Sequence, residues 1–143
     1  MKIAIASDHG GYMLKETILG FLLGMGHEVE NLGTYSEESV DYPEFGFRCA
    51  EKVASGEVER GIVICGTGIG ISIAANKVKG IRCALCTDKE MAEMTRKHND
   101  ANMLALGGRT TETTTALDII NVWLNTEFEG GRHQRRVDML NNY

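Results

Sequence analysis

The run Gly61-Ile-Val-Ile-Cys65-Gly-Thr-Gly-Ile-Gly70-Ile-Ser decides the fold. It opens with a short apolar, β-branched stretch, the pattern of a strand buried on both faces of a parallel sheet. Three glycines follow at alternate positions, Gly66, Gly68 and Gly70, and a small-residue segment from Ile71 to Val78 reads as a helix. Cys65 therefore stands at the carboxyl end of a strand, where open α/β sheets hold their ligands. The bare N–H groups of the loop and the helix N-terminus favour an anion. The same field favours thiolate over thiol and makes Cys65 a candidate reactive cysteine. The plainer reading is a small core residue beside glycines that only let a helix pack close to a sheet.

Spacing excludes three sharper motifs. A dinucleotide fingerprint needs Gly-x-Gly-x-x-Gly, and here the third glycine comes one residue early. A Walker A loop ends in Gly-Lys-Ser/Thr, whereas this one ends Gly70-Ile71-Ser72. A cysteine phosphatase carries arginine six residues after its nucleophile, and position 71 is Ile71.

Outward from this run, strands and helices alternate. Strands are expected at Lys2 to Ser7, Glu28 to Leu32, Gly61 to Cys65, Ile81 to Cys86 and Asn102 to Leu106. The first helix runs from Gly11 to Met25 with Leu14, Ile18, Leu22 and Met25 on one face. Pro43 suits the first turn of the second helix. Thr87-Asp-Lys-Glu90 has the capping-box pattern, and Thr110 or Thr111 opens a helix through Trp123. Such alternation implies an α/β fold with a parallel sheet covered on both faces.

The chain has 143 residues, 43% hydrophobic and 24% charged with one proline, an ordinary composition for one soluble domain. A net charge of −5 argues against general nucleic-acid binding. The chain enters a strand at its first residues and holds no apolar run that would span a bilayer, so no membrane association and a cytoplasmic location are expected. Cys83 and Cys86 form a C-x-x-C, but on a strand residues three apart point to opposite faces and do not share a zinc ion, so no metal is expected.

Polar residues cluster between elements. Asp8 and His9 follow the first strand, placing an acid and an imidazole at the edge that holds Cys65, although Asp8 is also a good helix cap. His98 and Asn99 stand between a helix and the fifth strand, where a polar C-cap turn is the plainer reading. Arg109 follows that strand after two glycines, in position for a phosphate or carboxylate. In the tail, Arg132 and Arg136 share a face of a short helix, with Arg135 out of phase. A short helix is marginal alone, so the arm over about residues 130–143 is expected to dock on a neighbouring subunit.

Ser7-Asp-His-Gly-Gly11, Gly33-Thr-Tyr, Asp41-Tyr-Pro-Glu-Phe-Gly46, Cys65-Gly-Thr-Gly-Ile-Gly70, Asn76-Lys77, His98-Asn-Asp-Ala-Asn102 and Arg132-His-Gln-Arg-Arg136 together resemble the ribose-5-phosphate isomerase type B family, in order along nearly the whole chain. The wider group also holds galactose-6-phosphate and allose-6-phosphate isomerases. The resemblance implies a three-layer α/β/α Rossmann-like sandwich whose five-stranded sheet has the order 2-1-3-5-4. It implies a homodimer, or a tetramer built from it, with active sites at the subunit interface, no cofactor and no metal. It implies isomerisation of ribose 5-phosphate and ribulose 5-phosphate through an enediolate. In that scheme Cys65 is the base, Thr67 assists proton movement, and His98 with Asp8 opens the sugar ring. The N–H groups across Gly66, Gly68, Ile69 and Gly70 receive the oxyanion. Asn99 and Tyr42 line the pocket, and His9, Arg109, Arg132 and Arg136 hold the phosphate. A hexose-phosphate isomerase and a non-catalytic sugar-phosphate binder are the alternatives; the joint presence of Cys65, Thr67 and His98 counts against the binder.

Overall fold

The computed structural model describes residues 1–143. The chain forms β1 (Lys2–Ser7), a 3-10 turn (His9–Gly11), α1 (Tyr12–Gly24), β2 (Glu28–Asn31), α2 (Tyr42–Ala54), β3 (Arg60–Cys65), α3 (Ile69–Asn76), β4 (Cys83–Leu85), α4 (Lys89–Asn99), β5 (Met103–Gly107), α5 (Thr113–Asn125) and α6 (Arg132–Asn142). The five strands are parallel in the order β2-β1-β3-β5-β4. In this order β3 sits at the centre, and Cys65 pairs with Gly107 at its carboxyl end.

Side-chain alternation on the strands fills two cores. Ile62 and Ile64 join Ile3, Ile5, Leu104, Leu106 and Trp123 beneath α1 and α5. Val63 and Cys65 join Ala4, Ala6, Met103, Ala105, Phe45 and Cys49 beneath α2 and α3. Both faces of the central strands are therefore apolar, which explains their unbroken hydrophobic runs. Truncating one of these side chains, such as Ile64→Ala, costs about 2–5 kcal/mol through lost transfer energy and the cavity left behind.

Several boundaries differ from expectation for local reasons. Met25 lies past the end of α1 and is exposed; Lys15 takes its place on the buried face, fully enclosed, with its ammonium 2.9 Å from Asn31 Oδ1. Asp88, not Thr87, caps α4: its Oδ1 accepts the Met91 N–H at 2.8 Å. Thr110 and Thr111 close a turn on the Gly107 carbonyl, so α5 begins at Thr113. β4 is shorter than expected because it is an edge strand. Its outer side is closed by the Asn76 amide, which accepts from Cys83 N–H at 2.8 Å and donates to Cys83 C=O at 3.0 Å. Cys83 packs toward one core and Cys86 lies in the other, on opposite faces of the sheet.

Candidate active site in two halves

The first half stands at the carboxyl edge of the sheet, where three glycine-bearing loops meet. A Cβ on Gly108 would come 2.4 Å from the Gly10 carbonyl oxygen, so the loops after β1 and β5 touch backbone to backbone. Gly68 has φ +80°, and a Cβ there would meet Leu85 at 2.6 Å and the Leu106 backbone at 2.8 Å. Only glycine satisfies both the left-handed backbone and the contact. This close approach seats the loop after β3, and with it the head of α3 that begins at Ile69, against the carboxyl ends of β4 and β5.

Cys65 is 5% exposed, and its Sγ receives the Gly68 N–H at 3.2 Å. The other cysteines differ. Cys49 Sγ faces the Ala4 and Ile62 carbonyls at 3.7 and 3.9 Å, and burial pushes its thiol up to about 12. Burial likewise pushes Cys86 up to about 12 and raises Cys83. Thr67 Oγ1 accepts the Ile69 N–H at 3.2 Å, while the N–H groups of Gly66, Thr67 and Gly70 make no bond within the chain. Those three, at the N-terminus of α3, can receive an oxyanion. The Gly68 and Ile69 N–H groups, also expected there, are spent on Cys65 and Thr67.

Asp8 is 7% exposed, and its Oδ1 caps the 3-10 turn by accepting the Gly11 N–H at 3.1 Å, so the helix-cap reading holds for one of its two oxygens. His9 Nδ1 accepts the Val40 N–H at 3.1 Å, which leaves its ring hydrogen on Nε2, free to be donated. Arg109 N–H donates to the Gly66 carbonyl at 2.9 Å, and its guanidinium lies over Gly66. Tyr42 lies over Gly70 and, with Phe47, Ile73 and Lys77, lines a cavity of about 160 Å³.

The second half lies at the opposite edge. α4 leaves the carboxyl end of β4 and returns to the amino end of β5, so His98 and Asn99, at its C-terminus, stand at the amino edge of the sheet. The length of β5, roughly 16 Å of strand, separates the two edges. Within one chain His98 therefore stands on the opposite edge of the sheet from Asp8 and Cys65. α6 lies along this same amino edge. His133 stacks on His98 with ring centroids 4.3 Å apart and 16° between planes. Val137 is buried at 2% exposure, and Arg82 donates to Asn141 Oδ1 at 2.7 Å. One face of the arm thus packs on its own chain, leaving Arg132, Arg136, Met139 and Leu140 outward.

Two residues that sequence reasoning missed belong to this half. Glu129 Oε1 lies 3.8 Å from His98 Nε2 and 3.5 Å from His133 Nε2. The signals available in the sequence were the place of His133 inside the Arg132-His-Gln-Arg-Arg136 run and its i,i+4 spacing from Glu129. Burial first, and then the charges of His98 and Arg132, lower the His133 pKa below its ordinary value. Three ligand-type atoms come within 4.8 Å of one another here. The two imidazole lone pairs lie in nearly parallel planes and do not converge on one ion, so the trio is a stack with a carboxylate beside it.

A five-stranded parallel sheet with a near-buried thiol at the carboxyl end of its central strand and open N–H groups beside it defines an α/β protein with a crevice at its switch point, where such sheets hold their ligands. Residues 3–140 match the family described as Ribose/Galactose Isomerase, and the chain belongs to that family. It is 48% identical to ribose-5-phosphate isomerase B of Escherichia coli, over 97% of this chain and 93% of that one. The Clostridium thermocellum ribose-5-phosphate isomerase B structure superposes with TM-score 0.98 at 60% identity, covering 99% of this chain and 96% of that one. The Mycoplasma genitalium enzyme, solved with bound ribulose-5-phosphate, superposes with TM-score 0.95 at 42% identity, covering 99% and 95%. No helix is long and apolar enough to cross a membrane.

Proposed function

We propose that this chain is an aldose–ketose isomerase that interconverts ribose 5-phosphate and ribulose 5-phosphate, working as a dimer in which each site joins the carboxyl edge of one copy to the amino edge of the other. The observation that carries the reading is Cys65, nearly buried, receiving an N–H at the head of α3 with open donors beside it. The family and the relatives' activity support the same chemistry.

The reaction proceeds on the opened sugar. The Cys65 thiolate takes the C2 proton, and the electron pair moves into a C1–C2 double bond as the carbonyl oxygen becomes an enediolate. Open N–H groups at Gly66, Thr67 and Gly70 stabilise that oxygen as its charge develops. The Thr67 hydroxyl passes a proton between O1 and O2, and the Cys65 thiol returns its proton to C1, so no proton is lost overall. Before this, Asp8 of one copy and His98 of the other open the furanose ring. His9 Nε2–H and Arg109 take the phosphate from one side, and Arg132 and Arg136 of the other copy take it from the far side. Exposed apolar residues line both halves: Tyr42, Phe47, Ile69 and Ile73 at one, Met139 and Leu140 at the other. Such patches mark surfaces that meet a partner.

The test is a panel of kcat/KM values on ribose 5-phosphate, allose 6-phosphate and galactose 6-phosphate. Ribose 5-phosphate is expected to be the best substrate. A higher value on either hexose phosphate overturns the substrate assignment, and binding without turnover overturns the enzymatic one.

A further inference from the structure

We propose that His133 and Glu129 are positioning residues for His98: a stacked imidazole and an adjacent carboxylate that hold a half-exposed ring in the one orientation ring opening uses. This rests on the assignment of ring opening to His98.

The geometry is local and specific. The His98 side chain is 41% exposed and stands on the last turn of α4, where a single exposed imidazole would sample several rotamers. The His133 side chain is only 9% exposed, so the two rings of the stack are unequal. The buried ring is fixed by its surroundings, and the exposed ring lies on it. Glu129 restrains the same pair from the side, its carboxylate within 4 Å of both Nε2 atoms. That carboxylate is itself tethered, because the Glu129 N–H donates to the Lys97 carbonyl at 3.2 Å, one residue before His98. The connector leading into α6 is held a second time where Arg96 Nε donates to the Thr126 carbonyl at 3.1 Å. A neutral His133 keeps the stack free of like-charge repulsion, consistent with the downward push that burial gives it. Preorganised orientation of this kind supplies rate, since a misplaced group loses activity without losing its chemistry.

The arrangement makes a prediction that separates it from simple anchoring of α6. Arg132 and Arg136 ride on the same helix, so a merely structural role for His133 would loosen both arginines and raise KM for every sugar phosphate. A positioning role lowers kcat only where a ring must be opened. A four-carbon aldose phosphate provides the comparison, because its C4 oxygen carries the phosphate and cannot close a furanose.

The experiment measures His133→Ala, His133→Phe and Glu129→Gln on ribose 5-phosphate and on erythrose 4-phosphate, with His98→Asn alongside. His133→Ala is expected to lower kcat on ribose 5-phosphate on the order of ten- to a hundredfold, with kcat on erythrose 4-phosphate unchanged. His133→Phe, which keeps the stacked face, is expected to restore most of the loss, and Glu129→Gln to fall between. The stack itself is read independently, as an upfield ring-current shift of the His98 Cε1 proton that is kept in His133→Phe and lost in His133→Ala. Loss of that shift with ribose 5-phosphate turnover intact overturns the proposal. So does a rise in KM on both substrates at constant kcat. If His98→Asn damages both substrates equally, the ring-opening assignment fails. The positioning claim then stands only if His133→Ala lowers kcat in step with His98→Asn while His133→Phe does not.

Discussion

At the scale of the residue, the four thiols differ by what each Sγ meets. Cys65 receives an N–H at a helix head, whereas Cys49 faces carbonyls and lies with Cys83 and Cys86 among groups that burial holds as thiols. Iodoacetamide at neutral pH is therefore expected to label Cys65 ahead of the other three, as read by peptide mass spectrometry; first labelling elsewhere would contradict the account of its environment. Cys65→Ala is expected to cost on the order of 100- to 10,000-fold in kcat, the usual range for a lost general base, while the affinity for ribose 5-phosphate by calorimetry changes little. Near-normal turnover would remove Cys65 from the mechanism. Arg136→Lys keeps the charge but loses the planar fork that matches phosphate. A charge-assisted hydrogen bond is worth about 1.5–3 kcal/mol, so KM is expected to rise about ten- to a hundredfold. An unchanged KM would leave Arg136 as a solvated surface residue.

At the scale of the element, α6 is docked in part through a titratable side chain. Its inner face rests on His133 and Val137. The folded-state pKa of His133 lies below the ordinary 6.5, chiefly through burial. A base with a lowered pKa binds its proton more readily when undocked. Its contribution is thus intact above 6.5 and is lost as pH falls from 6.5 through the folded value. Amide exchange along residues 132–142, corrected for its intrinsic pH dependence, is expected to speed up selectively in that window, and His133→Phe to abolish the effect. Uniform exchange across the window would contradict it. The elements were largely legible in the sequence because buried parallel strands announce themselves as β-branched runs and caps as Asp or glycine. What was not legible is as instructive. The enclosure of Lys15 depends on Asn31, sixteen residues away on another element. The cap at Asp88 differs from a Thr87 cap only by one residue of register, which side-chain pattern alone does not resolve.

At the scale of the whole molecule, the sheet order makes one half-site local and the other remote. The Cys65 loop could be read from a dozen consecutive residues because strand, turn and helix head are contiguous. His98 and the arginine arm were recognisable as chemistry, but their edge follows from chain direction: a residue after a helix and before a strand stands at the amino end of the sheet. The stack of His98 on His133 brings together two helices far apart in sequence and left no spacing signal of its own; only Glu129 and His133 stand i,i+4. The central claim, that a working site takes its two halves from different copies, is tested most directly by mixing two inactive proteins. Cys65→Ala retains its arginine arm, and Arg132→Ala/Arg136→Ala retains its thiol. Unfolded together, refolded and checked by native mass spectrometry for mixed dimers, they are expected to regain about a quarter of wild-type activity, since half of the dimers are mixed and each holds one intact site of two. Mixed dimers that form in that proportion and yet show no activity above the two parents would contradict the shared site.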